Sequence, residues 1–239
     1  MKRLPQLAAA ERLRRIHDRL AAAYGPQHWW PAQTPLEVIL GAYLTQNTSW
    51  KAVERSLDNL RAANALNLDG LRALSLSKLQ RLIQPSGFYT RKAAALKAFV
   101  ALLDAEFDGL LEVMAAAPTA QLRERLLTLP GVGAETADAI LLYALGHPVP
   151  VADEYLRRIV QRHQLLPSSP AKDRNGYDAL AALTRAAFNA DPASDRLHLY
   201  NEFHALAVAV GKAHCGKSAN CAGCPLAADL KFVSSSLGM

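Results

Sequence analysis

The sequence predicts an all-α fold. Apolar residues recur at helical spacing along almost the whole chain, no stretch sustains the alternation that a half-buried strand needs, and Pro and Gly punctuate the runs. Met1 to Gly25 reads as a charged amphipathic helix carrying Arg12, Arg14, Arg15 and Arg19. Pro35 opens a nearly all-apolar helix, Leu36 to Thr45, whose lack of a polar face predicts burial on most sides. Val53, Leu57 and Leu60 form one stripe; Leu79, Leu82 and Ile83 form another before Pro85 and Gly87 break the chain. Leu96, Phe99, Val100 and Leu103 mark a further helix. Leu122 and Leu126 mark one within Thr119 to Leu127, and Ile140, Leu141 and Ala144 one within Glu135 to Leu145. Residues 36–148 thus read as a compact bundle ending in a helical hairpin. Helices follow at Glu154 to His163, Tyr177 to Phe188 and Asp195 to Lys212, then a small cysteine-bearing tail. The loop Pro167 to Asn175 is polar and short, a connection rather than a domain linker.

A chain of 239 residues with 51% hydrophobic content can bury one or two compact cores. Its net charge of +6 suits a polyanionic partner without proving one. No run approaches the roughly twenty apolar residues of a membrane span, and the charged N-terminal helix does not read as a secretory leader, so a cytoplasmic monomer is expected.

The most informative motif is Leu129-Pro130-Gly131-Val132-Gly133 between two helical runs. Pro130 is expected to stop the first helix, while Gly131 and Gly133 allow backbone angles that side chains resist. The resulting turn would aim free amides, at the positive end of the next helix, toward an anion such as a phosphate. Such a clamp reads nucleic-acid backbone, not sequence. Leu129, Gly131, Val132, Gly133 and Thr136 are the candidate phosphate-binding residues. Twenty residues past Gly133, after a Pro-bounded loop, Asp153 opens the helix Glu154 to His163. Asp153 fits an N-cap, and it equally fits a catalytic carboxylate.

The hairpin, aliphatic helix, Pro loop and Asp153 at this spacing resemble the helix-hairpin-helix (HhH-GPD) DNA glycosylase superfamily, and within it the endonuclease III-like branch. The resemblance covers nearly the whole chain. It implies two helical domains: a six-helix barrel from 36–148 ending in the hairpin, and a second domain from 1–35 plus 149–239, with Asp153 in the cleft between them. It implies double-stranded DNA containing a damaged base as partner, hence association with the nucleoid when bound. Leu44-Thr45-Gln46-Asn47-Thr48 matches the segment whose Gln enters the DNA stack, and Ser86-Gly87-Phe88-Tyr89 the loop that supplies a wedge. Unstacking a base costs a few kcal/mol, and inserted side chains fill the gap. From the residues alone, Gln46 could equally be a helix-end polar residue and Phe88 a minor core contact. Arg157 and Arg158, with Arg91 and Lys92 on the opposite rim, are candidate phosphate contacts. Lys212 and Lys217 could meet phosphate or simply face solvent, and His204 reads as a core histidine.

Lyase members of the family carry a Lys two residues beyond the last hairpin Gly, where its amine forms a Schiff base. This chain has Glu135 there, which cannot form that intermediate. The expectation is therefore a monofunctional glycosylase, with Asp153 stabilising oxocarbenium character or orienting water. Glu135 could instead only complement the helix dipole. All three tryptophans, Trp29, Trp30 and Trp50, lie in the first fifty residues. With Pro31, Glu135 and the Phe88-Tyr89 pair they resemble the subgroup that excises 3-methyladenine, where such residues line the base pocket. Packing of the N-terminal helix is the competing explanation for Trp29 and Trp30. Uracil, mispaired thymine or an oxidised pyrimidine as substrate, the last with lyase activity, remain open, as does a non-catalytic hairpin DNA-binding protein.

Cys215, Cys221 and Cys224 are all the cysteines present, spaced C-x5-C-x2-C and followed by Pro225. They resemble the loop that holds a 4Fe-4S cluster in endonuclease III. The fourth Cys is missing, so the site reads as an incomplete cluster or as a remnant loop without metal. Asp229 and His214 are the nearby candidates for a further ligand, the latter in a zinc site.

Overall fold

A computed structural model describes residues 4–230, with side chains from Ala8 onward. The helix start expected at Met1, and Lys231 beyond the cysteine tail, lie outside the described residues. Among the described residues the regular structure is helical, apart from one isolated bridge between Cys215 and Ala219. No helix among them is long and apolar enough to cross a membrane. Contacts gather the chain into two units, Trp30–His147 and Met1–Trp29 with Pro148–Met239.

The unit Trp30–His147 is organised around α2, Pro35–Leu44. Thr34 caps it by accepting the Glu37 amide at 3.2 Å, and Pro35 occupies the first turn, where a missing N–H costs nothing. Glu37 reaches back to the Gln33 amide at 2.7 Å and accepts Arg61 at 3.1 Å, so its burial leaves no bare charge. Every residue from Leu36 to Leu44 is buried, as the absent polar face requires. Against α2 pack α3 (Trp50–Ala62), then, past the short α4 (Leu68–Ala73) and α5 (Leu76–Leu82), the long α6 (Tyr89–Glu106). The hairpin follows α7 (Leu111–Ala116): α8 is Thr119–Leu127 and α9 is Ala134–Ala139, which widens into a π-helical turn, Ile140–Ala144. Helix α8 ends at Leu127, before Pro130, with Thr128 Oγ1 donating to the Arg125 carbonyl at 2.7 Å.

The second unit packs α1 (Leu4–Tyr24) against α11 (Arg174–Ala187) and α12 (Arg196–Ala213), with Leu13, Ile16, Leu20, Phe188 and Phe203 in its core. Helix α10, Glu154–Arg162, lies on α12 so closely that a Cβ at Gly211 would overlap the Tyr155 ring. Glycine at 211 therefore sets how near α10, and Asp153 at its start, approaches α12. The segment after the cysteines is tied down by one buried carboxylate. Asp229 Oδ2 accepts Arg12 at 2.7 Å and His163 Nδ1 at 2.8 Å, and Arg12 also donates to the His163 carbonyl at 2.9 Å.

Burial alone would raise the Asp229 carboxyl, but the bonds from His163 and Arg12 and the Arg12 charge outweigh it and hold the group at about 2. A depressed carboxylate stabilises the fold above its unfolded value of about 3.9, and that stability is lost as pH falls through about 2. Asp229→Asn should therefore cost about 2–4 kcal/mol at pH 7, since it strands half-buried Arg12 and buried His163. In denaturant melts the gap between wild type and variant should shrink from about pH 4 to pH 2. A gap independent of pH would show that the pairing contributes nothing.

Candidate functional site

The hairpin turn separates its amides into two sets. Leu129 N–H donates to Leu126 at 3.0 Å and Val132 N–H to Leu129 at 3.2 Å, and both side chains are buried. The expectation that these two amides serve a phosphate is corrected: the turn itself engages them. Gly131 and Gly133 are exposed, and no side-chain oxygen caps α9. Gly131 has φ +76°, which glycine alone adopts readily. Gly133 has φ −92° and ψ 179°, ordinary extended backbone, and a Cβ there would meet nothing within 4 Å. Nothing inside the protein requires glycine at 133. Its bare backbone suits close approach by something from outside, at the positive end of a helix. Thr136 Oγ1 and the Gly131 carbonyl both accept Gln46 Nε2 at 3.0 Å, so Gln46 joins the end of α2 to the turn. Glu135 is exposed in the first turn of α9.

In the other unit Asp153 caps α10, its Oδ1 accepting the Leu156 amide at 2.8 Å. The residue is buried, and burial pushes its carboxyl up to about 6 against the pull of the Leu156 and Tyr155 amides. His204 Nε2 lies 3.8 Å from Asp153 Oδ2, and burial pushes the imidazole down to about 4. At neutral pH, then, a carboxylate stands beside an uncharged ring that does not neutralise it. Sequence reading took His204 for a core histidine; it is buried, but its neighbour is the candidate carboxylate. Only the i+3 and i+4 spacing of apolar residues around His204 was visible in the sequence, and that spacing says nothing of its neighbour. Trp29 meets the His204 ring edge-on at 5.7 Å, with Lys212 Nζ 5.8 Å from its ring centre. Arg158 stacks on Tyr155, while Arg157 is held by both Glu154 oxygens, at 2.6 and 2.8 Å.

The tryptophan pair divides between the units. Trp30, beside exposed Pro31, packs at 5.8 Å from Trp50 and 5.2 Å from Tyr143, both at steep angles. Trp50 is fixed by donation from its Nε1 to Glu54 at 3.0 Å. Tyr143, in the π-helical turn, was not singled out from the sequence.

Phe88 is 60% exposed and left-handed, φ 47°, directly after left-handed Gly87. It is not a core contact. An aromatic residue held in this region costs on the order of 1 kcal/mol, and such strain clusters at functional segments. Lys92 corrects the sequence reading: it is buried, and its ammonium donates to the Leu44 and Ser86 carbonyls at 2.8 Å each, not to an outside phosphate.

Among the described residues none of the three cysteines is in a disulfide. Cys215 Sγ accepts Arg162 at 3.0 Å, Cys221 is exposed, and Cys224 is half-buried. Of the candidate further ligands, Asp229 is held by Arg12 and His163, and His214 Nδ1 lies 3.0 Å from the Asn220 carbonyl. No group of three or more His, Cys, Asp or Glu among the described residues is disposed to hold a metal ion.

A family model described as HhH-GPD superfamily base excision DNA repair protein matches residues 40–179, a span that holds Gln46, Phe88, the hairpin and Asp153. The chain belongs to this superfamily. The candidate DNA repair glycosylase MJ1434 of Methanocaldococcus jannaschii is 39% identical to it over 90% of this chain and 94% of that protein. The thymine/uracil-DNA glycosylase of Pyrobaculum aerophilum is 28% identical over 83% and 80%. The crystal structure of H. pylori 3-methyladenine DNA glycosylase (MagIII) bound to 1,N6-ethenoadenine superposes with a TM-score of 0.70 at 30% identity, covering 87% of this chain and 97% of that one. A non-covalent endonuclease III–DNA complex, at 20% identity and TM-score 0.73, shares the fold. This HhH-GPD protein is a DNA repair glycosylase of the endonuclease III-like branch.

In it, Gly133→Ala should leave the melting temperature within about 2 °C, since a helix N-cap tolerates the change at a cost of about 1 kcal/mol or less. Affinity for duplex DNA should fall at least about fivefold, roughly the loss of one good hydrogen bond. Unchanged affinity by fluorescence anisotropy would remove the turn from the DNA interface.

Proposed function

We propose that this glycosylase is monofunctional: it hydrolyses the N-glycosidic bond of an extruded alkylated purine, 3-methyladenine or a close relative, and leaves an abasic site. The observation that carries the chemistry is the buried carboxylate of Asp153, anchored through Oδ1 and not neutralised through Oδ2. As the glycosidic bond lengthens, positive charge develops on the sugar. A fixed carboxylate in a poorly hydrated site stabilises that charge and can orient or deprotonate the attacking water. Glu135 supports hydrolysis over lyase chemistry, because a carboxylate in that position cannot form a Schiff base.

The substrate class rests on Trp30, Trp50 and Tyr143. A purine methylated at N3 is a flat cation with a weakened glycosidic bond. Stacking a cation on tryptophan is worth roughly 0.5–2 kcal/mol, and a leaving base that already carries charge needs little general-acid help. The H. pylori enzyme similar to this chain is named for 3-methyladenine and was solved with an ethenoadenine, another extended flat purine.

Asp153→Asn should abolish base release, read as alkali-labile sites on a lesion duplex, while duplex binding stays equal or tightens. Release by the wild type should rise with pH up to about 6 and then level, following ionisation of Asp153. The sign for stability is opposite to that of Asp229. A carboxyl raised to about 6 favours folding only below its unfolded value of about 3.9, and this contribution is lost as pH rises through about 6. Asparagine still caps α10, so the variant should be more stable by about 2 kcal/mol above pH 6, with the gain vanishing below about pH 4. Undiminished release by the variant would refute the mechanism.

Across a panel of lesion duplexes, methylated purines should be released and uracil or mispaired thymine spared. Trp30→Leu or Trp50→Leu should lower release of the cationic purine about tenfold, in line with the lost stacking. Activity on uracil alone would overturn the substrate class, and a borohydride-trapped covalent adduct would overturn monofunctional hydrolysis.

A further inference from the structure

Lys92 is a buried cation in the first turn of α6, unfavourable on two counts. Burial disfavours its charged form and lowers its pKa, and the positive end of the helix dipole repels it. Two charge-assisted bonds answer this cost. Nζ donates at 2.8 Å to the carbonyl of Leu44, the last residue of α2, and at 2.8 Å to that of Ser86, the last residue of the 3-10 turn Gln84–Ser86. Each carbonyl lies two residues ahead of a DNA-probing side chain: Gln46 follows Leu44, and Phe88 follows Ser86. Between the two segments a cavity of about 400 Å³ is lined by Gln46, Asn47, Phe88, Lys92 and Gly131. One ammonium thus grips both loops at matching points. Gln46 is held in turn by the hairpin, through the Gly131 carbonyl and Thr136 Oγ1.

We propose that Lys92 is a positioning residue that fixes the separation of Gln46 and Phe88, so that both enter the DNA stack in register when a base is extruded. The proposal rests on the insertion role of those two side chains. An amine 5% exposed, with its protons directed at two carbonyls, is a tie and not a nucleophile. The mechanical reason is local. Residues 45–49 and 87–88 are short, contain positive-φ residues at Asn47, Gly87 and Phe88, and have no regular structure to set their spacing. Without the tie each loop keeps its own anchor but not its distance from the other.

The test uses the full-length protein and a duplex carrying 2-aminopurine beside an abasic-site analogue, whose fluorescence rises when the stack is opened. Lys92→Met, nearly isosteric but with no donor, should lose at least about fivefold of the wild-type rise, and excision turnover at saturating DNA should fall about tenfold. Affinity for undamaged duplex should change less than twofold, because the hairpin turn is untouched. Lys92→Gln, which keeps two N–H donors on a shorter arm, should recover at least half of the fluorescence rise. A merely structural lysine would change the melting temperature without this split between turnover and affinity. Should Lys92→Met melt below the assay temperature, Lys92→Gln decides: wild-type turnover together with an unopened stack overturns the proposal. Phe88→Ala and Gln46→Ala separate the two ideas. Loss of signal in both, with full signal in Lys92→Met, overturns the role of Lys92. Full signal in both overturns the insertion reading, and the proposal with it.

Discussion

Helix α2 has no polar face, so water must be excluded from all its sides, and the unit Trp30–His147 is arranged to do that. Enclosing a helix also encloses its ends, where backbone groups lack partners. At the N-terminus Thr34 and Glu37 meet this demand within the local sequence. At the C-terminus the donor comes from far along the chain, as Lys92 reaches back to the Leu44 carbonyl. The chain then leaves the core through Thr45 and Gln46, and Gln46 emerges against the hairpin turn. Gln46, read as touching DNA, thus emerges where a fully buried helix has to stop.

The other unit poses the same problem with the opposite sign. Two aspartates, Asp153 and Asp229, are both buried, yet one carboxyl is pushed up to about 6 and the other held at about 2. Burial raises both. Asp153 is desolvated more completely, and what faces the two also differs: Asp229 has a guanidinium and an imidazole on one oxygen, whereas Asp153 has backbone amides and a neutral His204 beyond hydrogen-bond reach. Asp229 ties α1, α10 and the tail together and thereby stabilises the fold. Asp153 is held at the start of α10 at a cost in stability, the arrangement expected where a charge is kept for chemistry.

Asp229 also bears on the cysteine tail. Asp229 is held by Arg12 and His163, and Arg162 donates to the Cys215 sulfur. The tail is anchored by charge pairs drawn from α1 and α10, elements that precede it by many residues.

Much of this protein was legible in its sequence because the informative signals were local. Helical periodicity gave the all-α class, the Gly-rich turn between two helices gave the hairpin, and its spacing to Asp153 gave the family. What stayed hidden depends on which distant residues meet. Lys92 read as a phosphate contact beside Arg91, because its spacing cannot show that two carbonyls lie beneath it. His204 could not be joined to Asp153, fifty-one residues earlier. Tyr143 was not singled out, since its meeting with Trp30, over a hundred residues earlier, leaves no local signal. The sequence by itself determined the helices, the turn and the kind of chemistry, since these follow from propensities acting over a few residues. Only the tertiary structure decided which turn amides stay free, which aspartate bears an uncompensated charge and which lysine is a tie, because hydrogen bonding and desolvation are set by neighbours that the chain brings together only when it folds.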